Sequence, residues 1–154
     1  MRDGSLDLDD EILAELDIVV ASVHSAFNLP LAEQTARMER ALAHPAVDIV
    51  AHPTGRVLGV RPPYDVDIAQ LIAAAREYGK ALEINASERL DLKDEHANLA
   101  RQSGVPLAID TDAHSPRMLG NVGYGVTTAR RAWCTRADVL NAKSREELLA
   151  WLKH

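Results

Sequence analysis

The chain has 154 residues, 47% hydrophobic and 26% charged, enough for one domain with a real core but well short of the roughly 250 residues of a complete α/β barrel. A net charge of −6 is the wrong sign for a chain that holds nucleic acid by its overall field, so a phosphate-bearing substrate would need local arginines or metal ions. The single cysteine, Cys134, excludes an internal disulfide and a cysteine-based zinc site, and an acidic N-terminus with no apolar run near 18 residues points to a cytoplasmic chain without a membrane span.

In chain order, strand-like and helix-like segments alternate with no repeat or low-complexity tract. Leu8 to Leu16 reads as a short amphipathic helix with Asp9, Asp10 and Glu11 in its first turn, where the helix dipole favours acids. Asp17 to Val23 is a β-branched apolar run, hence a buried strand, ending at His24. Pro30 to Ala43 is a helix with Leu31, Met38 and Leu42 for its inner face. Val47 to Ala51 is a strand ending at His52. The loop that follows contains Pro62 and Pro63, which preclude regular structure. Asp65 to Tyr78 is a helix closed by Gly79, and Lys80 to Asn85 is a third strand with Glu88, Arg89 and Asp91 beyond it. Asp94 to Ser103 is a helix ending at Gly104.

Pro106 to His114, PLAIDTDAH, carries the densest chemistry: a short apolar strand, then Asp110, Asp112 and His114 alternating with Thr111 and Ala113. If the alternation stays extended, the three polar groups point the same way and can hold divalent cations. Equally, Asp112 or Ser115 could start a helix at Pro116. NVGYGV then reads as a brief strand, Thr127 to Trp133 as a helix, and Ser144 to Leu152 as a helix opened by the capping box Ser144 and Glu147.

Short alternating elements indicate a parallel α/β sheet or barrel, whose strand exits share one face. On that face lie His24, His52, Asp112 and His114. Imidazoles with a carboxylate suit Mn²⁺ or Zn²⁺, although each histidine taken alone also reads as a hydrogen-bonded loop residue. Arg56 and Arg61 are candidate phosphate contacts, because a guanidinium fork matches phosphate oxygens, and solvated loop arginines are the alternative. Asn85 could orient a ligand or water, and Asp110 adds acidity beside the site. Glu83, a carboxylate inside a strand, receives no role.

SVHS (22–25), AHPTGR (51–56), ALEINAS (81–87) with RLDL (89–92), and TDAH (111–114) resemble motifs of the polymerase and histidinol phosphatase (PHP) superfamily. HPTGR together with ARRAW (129–133) is similar to the C-terminal PHP domain of bacterial family X DNA polymerases. The resemblance implies a distorted (β/α)7 TIM-like barrel with a trinuclear centre that hydrolyses phosphoesters, acting there as a manganese-dependent 3′ to 5′ exonuclease. It also implies that His24 and His52 share one metal, and that Asp112 binds a second and His114 a third. In the chemistry of a complete site, His52 or His114 could instead donate a proton to the leaving group. The family's opening His-x-His pair and third-strand bridging glutamate have no counterpart here. The expectation is therefore residues 1–154 as the C-terminal portion of a PHP domain, a partial barrel with a depleted metal site. DNA 3′ ends would be its substrate through a longer protein with an upstream polymerase domain, and open sheet edges would favour self-association. Two other readings stay open: a fragment silent without the missing half, and a histidinol-phosphatase-like enzyme for small phosphomonoesters.

Overall fold

Four parallel strands, β1 (Val20–Ala21), β2 (Ile49–Val50), β3 (Ala81–Asn85) and β4 (Leu107–Asp110), pair in the order β1-β2-β3-β4 in the computed structural model, which describes residues 1–152. Helices α1 (Asp10–Leu13), α2 (Leu31–Leu42), α3 (Ile68–Glu77), α4 (Asp94–Gln102), α5 (Val122–Arg131) and α6 (Arg145–Trp151) complete the regular structure. Each crossover from one parallel strand to the next turns the same way, so a sequential strand order collects α2 to α5 on one face of the sheet.

The side-chain period of two sorts the strands into two apolar layers. Val50, Leu82, Ile84, Leu107 and Ile109 point into the main core, against Leu42 of α2, Leu71 of α3, Ala100 of α4 and Ala129 of α5. Ile49, Ala81 and Ala108 point the other way and are covered by Leu140 and by Leu148 and Trp151 of α6. The register, Leu82 beside Leu107 and Asn85 beside Asp110, brings the carboxyl ends of β3 and β4 level.

The predicted parallel α/β alternation is present, and among the described residues the sheet is open: β1 pairs only with β2, while the outer side of β4 carries one bridge, from Leu107 to Val139. The ladders of β1 and β2 are two residues long each, shorter than their apolar runs, because on the outer side of β1 no neighbour among the described residues extends the pairing. α1 is one turn rather than the nine residues its periodicity offered. NVGYGV is not a strand. Val122 opens α5, and a 3-10 turn over Pro116–Asn121 leads into it, so the alternation read from its valines was overridden by packing. Gly125 decides this: a Cβ there would stand 2.5 Å from Ile109 Cγ2 and 3.0 Å from Ala86 Cβ, so a bare backbone is what lets α5 lie against the sheet. At the far end Ser144 and Glu147 form the expected capping box of α6. Among the described residues no helix is long and apolar enough to cross a membrane.

Candidate metal and phosphoester site

His24 follows β1 and His52 follows β2, and adjacent parallel strands bring the two rings edge to face with centroids 5.2 Å apart at 79°. They differ in surroundings. His24 is exposed, with Nε2 2.7 Å from Ser22 Oγ. His52 is 3% exposed, its backbone sits at φ +31, and its Nδ1 is buried without a hydrogen-bond partner. Burial, then the charge of Arg89 and then His24, push the His52 imidazole down to about 4, so it is neutral at pH 7.

Glu83 has a role that the sequence did not disclose. Its carboxylate accepts the backbone N–H of His52 at 2.6 Å, fixing the turn where that histidine leaves β2. Asn85, fully buried, donates Nδ2 to both Glu83 oxygens at 3.3 Å and accepts from Ser87 N, so its polar atoms are engaged within the fold. Burial pushes the Glu83 carboxyl up to about 7, and Asp110 nearby adds to the shift. Asp110 itself is raised by burial.

The TDAH stretch does not continue β4. The strand ends at Asp110, and Asp112 takes φ +49, which breaks the extended alternation that would have aligned Asp110, Asp112 and His114. Asp112 turns to Arg89, whose Nε lies 3.5 Å from Asp112 Oδ2. His114 is exposed and its Nδ1 bonds the Asp112 carbonyl at 2.7 Å. Ser115 precedes the 3-10 turn that Pro116 opens, as the helix-start alternative expected.

The two predicted phosphate-binding arginines are both committed to backbone. Arg56 Nε donates to the Arg89 carbonyl at 2.9 Å, and its Nη2 donates to that of Leu90. Arg61 donates Nε and Nη2 to the Gly55 carbonyl at 2.9 and 2.6 Å, and its guanidinium lies 4.1 Å from the centre of the Phe27 ring. Arg89, singled out in the sequence only as lying past a strand exit, is the guanidinium at the site. Its side chain is 17% exposed, and its Nη1 is buried without a partner. A loop arginine four residues after a buried strand was the available signal. Asp91, also buried, accepts the Thr54 N–H at 2.9 Å and so ties the two loops together.

The donor chemistry fits a divalent cation at the His24 and His52 pair, where one of the two neighbouring rings has a buried nitrogen without a hydrogen-bond partner. Among the described residues no three histidine, cysteine, aspartate or glutamate side chains converge into a metal-binding group. A pair offers two donors, where a protein metal site normally has three or four.

His52 and Glu83 also set an acid-base prediction. His52 falls below its ordinary 6.5, so its contribution to stability is present above pH 6.5 and lost as pH falls through 4. Glu83 rises above 4.5, so its contribution is present below pH 4.5 and lost as pH rises through 7. Between pH 4.5 and 6.5 the two slopes oppose each other. Glu83→Gln keeps an acceptor for the His52 N–H but removes one slope, so across this window its melting temperature should climb with pH relative to that of the unsubstituted chain. Parallel thermal melts check it, and superimposable pH profiles would refute it.

No family model matches the chain. It is 51% identical over 154 residues to a protein named DNA polymerase/3'-5' exonuclease PolX of Bacillus subtilis (strain 168), a match covering 99% of this chain and 27% of that protein. It is 34% identical over 150 residues to a protein named probable phosphatase of Thermoanaerobacter sp. (strain X514), covering 91% of this chain and 59% of the other. Another probable phosphatase, of Edwardsiella ictaluri (strain 93-146), is 31% identical over 156 residues. The chain thus spans about a quarter of the length of the first relative and about three fifths of the second.

Proposed function

We propose that this chain is the C-terminal portion of a PHP-type phosphoesterase domain, a partial (β/α)7 barrel that processes DNA 3′ ends by 3′ to 5′ hydrolysis within a longer family X polymerase. The observation that carries the reading is the His24 and His52 pair beside Arg89 and Asp112 at the carboxyl ends of parallel strands. Similarity to a 3'-5' exonuclease-containing polymerase and to probable phosphatases supports it, as does a sequential strand order, which is the winding of a barrel arc and lacks the order reversal of a doubly wound sheet.

His24 and His52 would hold one divalent ion, manganese or zinc, and Asp112 and His114 are assigned further ions by the motif resemblance. A bound cation supplies Lewis-acid polarisation of the phosphoryl group and an acidified water. The protein's own part is more definite. His52, neutral at pH 7, offers the lone pair of one ring nitrogen and carries no acidic imidazolium proton. Glu83 holds its backbone in place. Arg89, whose charge already meets Asp112 and reaches His52, is the arginine that would pair with a phosphate oxygen, and this takes the role first expected of Arg56 and Arg61. His114, exposed and bonded to the Asp112 carbonyl, would serve either as a ligand of its ion or as proton donor to the leaving oxygen, not as both at once.

The absence of a third converging donor among the described residues favours one second reading, a half-site that is silent until the rest of a longer domain supplies ligands. Both are tested by incubating the purified chain with Mn²⁺ and either a 3′-labelled single-stranded oligonucleotide or p-nitrophenyl phosphate. Stepwise nucleotide release that disappears in His24→Ala and His114→Ala is the expected result. Release only after adding the preceding segment of a full-length homologue selects the silent half-site. Monoester hydrolysis alone selects the small-molecule phosphatase, and no hydrolysis in either setting sinks the phosphoesterase reading.

A further inference from the structure

Two loops leave the carboxyl ends of β2 and β3, one carrying His52 and the other Arg89, and hydrogen bonds at three points tie them together. Asp91 Oδ2 accepts the Thr54 N–H at 2.9 Å, and Leu58 N donates to the Glu88 carbonyl at 3.0 Å. Between these, half-buried Arg56 donates Nε to the Arg89 carbonyl at 2.9 Å and Nη2 to the Leu90 carbonyl. What distinguishes the Arg56 contact is where it falls.

The loop of residues 86–90 is closed at its base, where Asn85 and Asp91 form an antiparallel bridge, Asn85 N to Asp91 O at 2.6 Å and Asp91 N to Asn85 O at 3.2 Å. Such a clamp fixes where the loop starts and ends but leaves the path between to local contacts. Leu90 stands at φ +42, a left-handed conformation that a leucine rarely adopts and that persists only where its surroundings hold it. The two carbonyls that Arg56 takes lie immediately before and after the Leu90 Cα, so one guanidinium grips the strained residue on both sides. Arg89 is the next residue back along the chain. Its own backbone is held loosely, with its N–H 3.4 Å from Ser87 Oγ. At the far end of its side chain, Nε lies 3.5 Å from Asp112 Oδ2, the outer limit of a hydrogen bond, so a small shift of the loop is enough to break the contact.

We propose that Arg56 is a positioning residue that acts through Arg89: by gripping the carbonyls on both sides of Leu90, it holds the loop in the backbone conformation that sets the Arg89 guanidinium against Asp112. Arg56 thus serves a phosphate without touching it. That last step rests on the phosphoesterase reading, whereas the brace between the two loops does not.

Two readouts on the full chain test the proposal. The first is the Nε–H resonance of Arg89 in nitrogen-proton correlation spectra, identified by its disappearance in Arg89→Met. In Arg56→Met it should move to the position it takes in Asp112→Asn, where the carboxylate contact is lost. The clamp at Asn85 and Asp91 and the Thr54 and Leu58 contacts remain in that variant, and thermal melts confirm that it folds. Arg56→Lys, which can meet only one of the two carbonyls, should fall between and carries the test if Arg56→Met does not fold. The second readout is calorimetric titration with inorganic phosphate. Arg56→Met should bind roughly tenfold more weakly, the order of loss that removing a supporting partner brings, while R89M and R56M/R89M should bind equally weakly. An Arg89 resonance that stays at the parent position in every folded Arg56 variant overturns the proposal. So do additive losses in the double variant, which would make Arg56 a phosphate contact in its own right. If the resonance moves as expected but the parent chain binds no phosphate, the brace stands and the phosphoesterase reading falls.

Discussion

His52→Ala should lower metal-dependent phosphoester hydrolysis at least 100-fold while the chain still folds. The imidazole is the one buried side chain of the site with an unpartnered ring nitrogen, and its neighbour in space is the His24 ring. Removing it leaves His24 as a single exposed donor, and loss of one of the two ligands of the proposed metal site should lower affinity by well over the 10 to 100-fold that a supporting residue typically costs. The structural cost is smaller. Glu83 accepts from the His52 backbone N–H, which alanine retains, so the turn after β2 keeps its anchor. What is lost is ring packing, on the order of 1 to 2 kcal/mol. Titration calorimetry with Mn²⁺, hydrolysis assays and thermal melts on the same preparations separate the two effects. Undiminished hydrolysis by the variant would remove His52 from the site.

Gly55→Ala should cost about 3 kcal/mol of stability. Two causes combine. The backbone of Gly55 is at φ +61, where an L side chain pays roughly 1 to 2 kcal/mol. A Cβ there would also stand 2.3 Å from Tyr64 Cε1 and 2.7 Å from Cδ1, and that ring cannot yield easily, because it stacks on Phe27 and its backbone N–H is held by the Thr54 carbonyl. Gly59→Ala is the control: its φ is +71 but nothing lies within 4 Å of the added carbon, so it should cost only the backbone part. Chemical denaturation of the three proteins checks the ordering. Equal losses at both positions would mean that Tyr64 is not packed against Gly55.

The strand exits were legible because apolar β-branched runs ending in histidine or aspartate are a one-dimensional pattern, and His24, His52 and Asp110 lie where that pattern put them. Helix ends marked by Gly79, Gly104 and the Ser144–Glu147 box were legible for the same reason: a left-handed cap or a reciprocal side-chain cap is local chemistry. NVGYGV misled because its two glycines and valines look strand-like until Ile109 and Ala86 are brought against Gly125.

The sequence by itself determined the parallel α/β alternation, the residue types at the strand ends and the donor chemistry they offer, since these depend on periodicity and on neighbours along the chain. Only the tertiary structure decided which arginine serves the site. Arg56 is drawn to the carbonyls of Arg89 and Leu90 and Arg61 to that of Gly55, whereas Arg89 is carried to Asp112 by the pairing of β3 with β4. It also decided that Glu83 supports His52 and that Asp112 turns out of line with His114. Those choices depend on which groups meet across the sheet once water has been excluded, where an unpaired carboxylate or guanidinium is too costly to leave alone.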